Sequence, residues 1–461
     1  MLCENRGLFS SEGSRKGTTH NCASAVCHIE SGQNMKSSRF LGAIKQHPLL
    51  RLLIHSKGNL KTLLLLEPLW GIPFSLIAPL AARYMSLQGI TDEQIGLFIS
   101  ISMVFKVIFS FSGGIISDKI GRKPATVYGD LFGWVFACLA WAVSSNFWFF
   151  LAAILLNSIE SVNQTAWHCL LIEDAPQKDV LGIFNWLYIG AYLSVFFAPI
   201  SGMLIGMFSL IPTVRWLYFL FAVSMMIKTA ITYFRTTETQ QGLIRIAETK
   251  TMPVRKMLYE YKGLIPKIFR NRMTVKMMAV GIVLQAASTV SSNFFGLYVP
   301  GRLGIADTYL PLFPILTAAV MLVFLFGVQH RLERFGQKAP MWIGLGIFAA
   351  NQVLLILVPV GNIFLVFVYT FFGAVANALV MPRKETLLIQ SIDTQERARI
   401  TALLTAFTVA FASPAGYLAG VLSEIDQRLP FALICLLFVV AIVIVGSVRE
   451  NQTVGEGLTA K

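Results

Sequence analysis

Twelve apolar stretches of bilayer-spanning length follow one another along this chain, and they leave few folds open. They run over 61–83, 94–114, 124–144, 147–171, 181–207, 213–234, 274–299, 308–329, 340–359, 362–382, 399–422 and 430–448. A helix needs about 20 mainly apolar residues to cross the hydrocarbon core. Backbone N–H and C=O groups in that core must be satisfied within the segment, so each stretch is read as a helix. Composition agrees: 55% of the 461 residues are apolar and only 13% are charged, about half the charge of a typical soluble domain. The fold class is therefore an all-α membrane protein with twelve transmembrane helices, and a water-soluble enzyme is excluded.

The spans fall into two groups of six, which sets the domain plan. Residues 1–58 are polar, lack an apolar run and read as a disordered cytoplasmic tail. A six-helix bundle over 59–234, a basic cytoplasmic linker over 235–272, a second six-helix bundle over 273–448 and a tail over 449–461 complete the chain.

The net charge of +14 is an orientation signal here. With both termini placed in the cytoplasm, 32 of the 38 basic residues lie on the inner side. Only Arg83, Arg215, Arg302 and Arg428 lie outside, and Lys106 and Lys228 stay within spans. This asymmetry predicts an N-in, C-in protein of the cell (inner or plasma) membrane, and it removes the need for a nucleic-acid partner. The six cysteines show neither a disulfide framework nor a zinc spacing, so no metal and no cofactor is expected.

The two groups echo each other. WHCLLIEDAPQKD and then APISGMLIG, around spans four and five, resemble KETLLIQSIDTQER and then SPAGYLAG, around spans ten and eleven. The Leu-Leu-Ile triplets are offset by 217 residues, and the pairs Gly202/Gly206 and Gly416/Gly420 by 214. Such duplication marks a transporter built from two pseudo-symmetric six-helix bundles.

Between spans two and three stands GGIISDKIGRKPA, residues 113–125. Gly114, Asp118, Lys119, Gly121, Arg122 and Lys123 fit G-x-x-x-D-[RK]-x-G-R-[RK], which resembles the cytoplasmic signature of the major facilitator superfamily. The resemblance covers about residues 60–448 and implies the fold of that superfamily, with alternating access between the two bundles. Gly114 is expected to let a neighbouring helix approach closely, and Gly121 to permit a sharp turn. Asp118 is expected to meet a helix N-terminus in the other half. Arg122 is expected to fork onto Glu173 or Asp174 at the end of span four. By resemblance these contacts latch a gate. The second-half counterpart, from Gly327, keeps Arg331 and Gly336 but lacks the acid.

Ionisable residues inside a membrane are costly and therefore candidates for function. They are Glu67 in span one, Lys106 in span two, Asp130 in span three, Glu160 in span four and Lys228 in span six. Lys228 lies within two turns of the cytoplasmic end and is read as snorkelling. Asp130 is read as structural, on a peripheral helix. In span four, Asn157, Glu160, Gln164 and His168 recur at helical spacing and form a polar stripe. Weaker stripes are Glu67, Gly71 and Ser75 in span one, Gln285, Ser288 and Ser292 in span seven, and Tyr369, Gly373 and Asn377 in span ten. Spans one, four, seven and ten line the cavity in the resembled superfamily. Glu160, then Glu67, is the expected proton-coupling or cation-recognising carboxylate; the alternative is a static bridge from either to Lys106. In span five, Gly190 followed by Ala198, Pro199 and Gly202 resembles an antiporter signature in which Ala198 and Met203 replace two glycines.

The sequence thus predicts a secondary transporter of a small-molecule substrate, coupled to a proton or other ion and working as a monomer in the lipid bilayer. No nucleotide-binding loop is present, so no ATP is expected to be used, and the helices carry no HExxH, no His/Asp metal set and no Ser/His/Asp arrangement, so it is not read as an enzyme. Export of an amphipathic or drug-like compound is the leading subtype. Nutrient or sugar uptake, and a non-transporting receptor or scaffold, are the alternatives.

Overall fold

The computed structural model describes residues 56–176, 180–250, 252–253, 265–324, 328, 337–390 and 397–447. Most of the predicted N-terminal tail, the tail over 449–461 and the second-half motif with Gly327, Arg331 and Gly336 lie outside the described residues.

Within them the chain is helical throughout, and ten helices are long and apolar enough to cross a membrane. Spans one to three are Gly58–Leu87, Asp92–Ile120 and Arg122–Val143, and span six is Leu210–Arg235. Span five runs as Val180–Val195 and Pro199–Phe208, broken where the proline starts the second piece. Spans seven, nine, ten and twelve are Arg272–Gly301, Lys338–Leu357, Ile363–Gln390 and Leu429–Gly446. Span eleven runs as Arg397–Ala412 and Pro414–Ile425. Two predicted spans differ from a single long helix. Span four divides into Phe147–Ser158 and Glu160–Ile172, and span eight is described as Leu312–Val323.

Side chains at the helix starts satisfy backbone N–H groups that have no partner within the helix. Thr91 and Gln94 form a reciprocal capping box at span two, Asn146 caps span four and Asn271 caps span seven. Outward surfaces remain apolar: Trp148, Met203, Trp216, Phe234, Leu357 and Val443 are mostly exposed, as lipid-facing side chains should be.

The first and second halves meet tightly at the end where span one runs into span two, here termed the distal end. There the beginning of span two packs along the second piece of span eleven with almost no side-chain volume between them. A Cβ on Gly96 would lie 2.5 Å from the Gly416 carbonyl oxygen, and one on Gly420 would lie 2.7 Å from that of Asp92. The close approach permits short cross-half hydrogen bonds. Ser423 donates to Asp92 at 2.6 Å, Ser100 donates to the Ser413 carbonyl at 2.6 Å and accepts from the Tyr417 N–H at 2.8 Å, and Tyr417 donates to Glu93 at 3.0 Å. Span five makes the equivalent contact with the start of span eight. Gly202 abuts the Thr308 carbonyl there, and Arg83 pairs with Asp307 at 3.0 Å nearby. The duplicated glycine pairs therefore lie at two of the helix contacts between halves.

Of the helix-packing residues expected in span five, Gly202 serves that purpose, Pro199 starts the second piece, and Gly190 has open space where a Cβ would be. Gly114 has open space as well; its neighbour Gly113 makes the close approach, to the Val162 backbone. Helical rotation decides this: the 100° step between adjacent positions turns Gly114 away from span four.

Replacing Gly420 with Val is expected to overpack the distal contact, at a cost of about 1–3 kcal/mol. Thermal unfolding in detergent should show a lower midpoint, and a cysteine placed at the buried Ser423 should react faster with a water-soluble maleimide. Gly346→Val, at a glycine with open space around it, should change neither measurement.

Candidate functional site

Two clusters of charge, one at the basic end opposite the distal contact and one within the first half, bring together most of the sequence-predicted residues. At the basic end, Gly121 sits at φ 103° between spans two and three, a conformation that favours glycine. The turn brings Arg122 back over the end of span two. Its side chain, only 7% exposed, donates to Asp118 Oδ1 at 2.6 Å and to Glu173 at the end of span four at 3.1 Å. The forked contact expected between Arg122 and Glu173 is present.

Asp118 departs from expectation. Instead of meeting a helix N-terminus of the second half, it accepts from Arg245 at 2.7 Å, on a linker helix spanning Gln240–Thr249. The helix N-terminus in this cluster belongs to span three, and its carboxylate comes from Glu238, which accepts from the backbone N–H of Arg122 at 2.8 Å and of Lys123 at 3.0 Å. A carboxylate there is favoured by the unpaired N–H groups and the helix dipole. Thr239 caps the linker helix through the Gly242 N–H and also donates to Glu173, while Asp174 accepts from the Gln240 N–H at 3.2 Å. Thr249 donates to the Asp118 carbonyl at 3.0 Å. Hydrogen bonding to Asp118 pushes the Arg245 guanidinium above its ordinary range. The linker therefore contains a helix docked by charge on the first half. Glu238 was not singled out by its sequence; the available signal was an acid beside the helix-capping Thr239 in a basic segment. Lys123 lies over the Tyr233 ring at 5.1 Å, and Lys119 takes no part in the cluster.

The second cluster depends on close approach of span four to spans two and three. Gly113, Gly129 and Gly133 face the backbone of residues 159–163, and a Cβ on Gly133 would lie 2.7 Å from the Glu160 nitrogen. At the same level span three makes a π-helical turn over Leu131–Phe136, a feature frequent at functional sites, and span four breaks at Ile159. Glu160 thus begins the second piece of span four. Its Oε1 accepts from Lys106 Nζ at 2.7 Å, with the side chains 24% and 36% exposed.

Glu67 takes a different partner. Its Oε1 is 3.8 Å from Lys228 Nζ, and Lys228 is also 3.9 Å from Asp130 Oδ2. Lys228 is 4% exposed and Asp130 fully buried. One expectation is thereby corrected: Lys228 does not snorkel. A snorkelling lysine needs an open path to the interface, whereas this one is enclosed by spans one, three and four.

The polar stripes resolve unevenly. Asn157 donates to the Gly133 carbonyl at 2.9 Å, so it fixes the approach of span three to span four, and His168 stacks with Phe184. Gln164, Ser288 and Ser292 are exposed and Gln285 is half-buried, with Gln285 donating to Thr289 at 3.3 Å. The other stripes are packed within their halves. Ser75 donates to the Ser194 carbonyl at 2.7 Å, Tyr369 is 8% exposed, and Asn377 faces Met321.

Among the described residues, ten long apolar helices, a basic loop tied down by Arg122, and paired charges between spans define a polytopic membrane protein. Residues 69–332 match the family model described as Major Facilitator Superfamily. The chain is 34% identical over 134 residues to the uncharacterized MFS-type transporter YqjV of Bacillus subtilis, a match spanning 29% of this chain and 32% of that protein. It is 25% identical over 342 residues to multidrug resistance protein MdtG of Erwinia billingiae, covering 72% of this chain and 79% of that one. The solved nucleoside transporter NupG has the same fold, with a TM-score of 0.66 at 14% identity over 85% of this chain and all of that one. The chain belongs to the Major Facilitator Superfamily, and it is a transporter rather than an enzyme.

Loss of the Glu238 carboxylate or the Asp118 charge is expected to undock the linker helix. Charge-assisted hydrogen bonds contribute about 1.5–3 kcal/mol each, so tryptic cleavage at Lys250 should accelerate roughly tenfold or more in Glu238→Ala and Asp118→Asn. Lys119→Ala should cleave at the rate of the unaltered protein.

Proposed function

We propose that this transporter exports a small amphipathic or drug-like compound in exchange for protons, by alternating access between its two halves. The observation that carries the reading is the Lys106–Glu160 pair, a 2.7 Å ion pair on membrane-spanning helices with both side chains partly exposed. A pair in that setting can be opened by a proton on Glu160 or by a cationic group that displaces Lys106 from it. Each event leaves the other charge without a partner, which ties proton binding to substrate binding. The likeness to MdtG, named as a multidrug resistance protein and matched over 72% of this chain, supports export of this substrate class.

In this reading the basic end is cytoplasmic, following the excess of Lys and Arg on that side. The halves are joined at the distal end by the span two to span eleven contact, which supports an inward-facing state. Opening the distal end then requires breaking the Asp92, Ser100 and Tyr417 hydrogen bonds. The Arg122 cluster links the loop before span three to the linker helix, so it biases where the linker sits as the halves rock. Gln164, Gln285 and Asn377 remain candidates for substrate contact, with Gln164 the most exposed of the three.

Purified protein in liposomes tests the coupling role. With a fluorescent lipophilic cation such as ethidium as the solute, an imposed proton gradient should drive accumulation against a concentration gradient. Glu160→Gln should abolish that accumulation while retaining counterflow exchange of labelled for unlabelled solute. Continued concentrative transport by Glu160→Gln would remove Glu160 from the coupling role, and loss of counterflow as well would reduce it to a structural one.

A further inference from the structure

The second ionic group of the first half has an unbalanced charge count. Glu67, Asp130 and Lys228 supply two carboxyl groups and one ammonium. The neighbouring Glu160 interacts electrostatically with Asp130 but is already neutralised by Lys106 at 2.7 Å, so it brings no spare positive charge. Fully ionised, the three groups would carry a net charge of −1 around a side chain, Asp130, that is 1% exposed. An uncompensated charge at such a place is strongly disfavoured.

The contacts show where the missing positive charge belongs. Asp130 Oδ1 accepts from Asn163 Nδ2 at 2.6 Å, but its Oδ2 is buried without a hydrogen-bond partner and faces Lys228. The ammonium is 3.8 Å from Glu67 Oε1 and 3.9 Å from Asp130 Oδ2, beyond hydrogen-bonding distance of both, and lies 5.8 Å from the centre of the Trp167 ring. It is therefore committed to neither carboxyl group. Glu67 is 22% exposed at its side chain and Asp130 is sealed, so one carboxyl group has access to the outside of the cluster and the other does not.

We propose that Glu67, Asp130 and Lys228 form a buried proton-binding site holding one exchangeable proton, shared between the two carboxyl groups under control of Lys228. Lys228 relays the proton: an ammonium N–H bond breaks as an O–H bond forms on Glu67, the neutral amine then takes the Asp130 proton as that O–H bond breaks, and the reverse sequence returns it. Charge is conserved in both arrangements and no electrons are exchanged. Release to solution occurs from Glu67. The inference extends the proton-coupled reading to a specific reservoir, yet its test requires no transport.

Infrared absorption of detergent-solubilised full-length protein reads protonated carboxyl groups through their carbonyl stretch, separate from ionised carboxylates. Near neutral pH the unaltered protein should show such a band. Asp130→Asn and Glu67→Gln should each lose it, because the remaining carboxylate then pairs with Lys228. Lys228→Gln should increase it about twofold, since both carboxyl groups must then be neutral, and Glu248→Gln, at an exposed side chain on the linker helix, should leave it unchanged. Absence of the band from the unaltered protein, its survival in both Asp130→Asn and Glu67→Gln, or its loss in Glu248→Gln would overturn the proposal. Should one variant fail to fold, the remaining variants and the unaltered protein still decide. Failure of proton-driven transport alongside the expected band pattern would refute the exporter reading and leave the proton site standing.

Discussion

A charge placed inside hydrocarbon has to be matched by another charge within the protein, and this requirement organises the first half. Spans two and four are tied by Lys106 and Glu160, while spans one, three and six converge on Lys228. These pairings need the helices to come close, and small residues make that possible. Gly113, Gly129 and Gly133 bring backbones onto the segment around Ile159, where span four breaks and span three makes its π-helical turn. Electrostatics and packing act together here: Gly113, on the same helix as Lys106, lets span two approach the segment of span four that carries Glu160.

The two ends of the bundle are held by different physics. Distally, backbone lies against backbone, and the hydrogen bonds are short and made by hydroxyls and carboxylates across the span two to span eleven contact. At the basic end, charge dominates, with Asp118, Arg122, Glu173, Glu238 and Arg245 joined in one network that includes the linker helix. Glycine contacts of the first kind are all or none, because a helix pair either fits or separates. The second kind is a largely buried ion network, in which losing one partner strands the other charge. Only the first joins the two halves; the second ties the linker helix to the first half.

Much of this was legible in the chain itself. Apolar runs of spanning length located the helices, since the bilayer sets their length and demands internal hydrogen bonding. The loop signature pointed to Arg122 and Glu173, because a planar guanidinium seeks a carboxylate at a fixed reach. Expectations failed where the outcome depended on rotation about a helix axis or on which helices are neighbours. Gly114 and Gly113 differ by one position, and only the second meets span four. Tyr369 and Asn377 share a stripe in sequence, yet Tyr369 is buried and Asn377 only half-buried. Glu238 went unseen because a single acid in a linker carries no periodicity.

By itself, then, the sequence determined an all-helical polytopic membrane protein of duplicated design, since hydropathy, span length and the spacing of a local motif are properties of the chain alone. Only the tertiary structure decided the pairing of charges. Lys106 chose Glu160 over Glu67, Asp118 chose the linker over the second half, and Lys228 took a place between Glu67 and Asp130. The choice follows from distance: electrostatic partnership falls off with separation and strengthens with burial, and both are fixed only once helices far apart in sequence have packed.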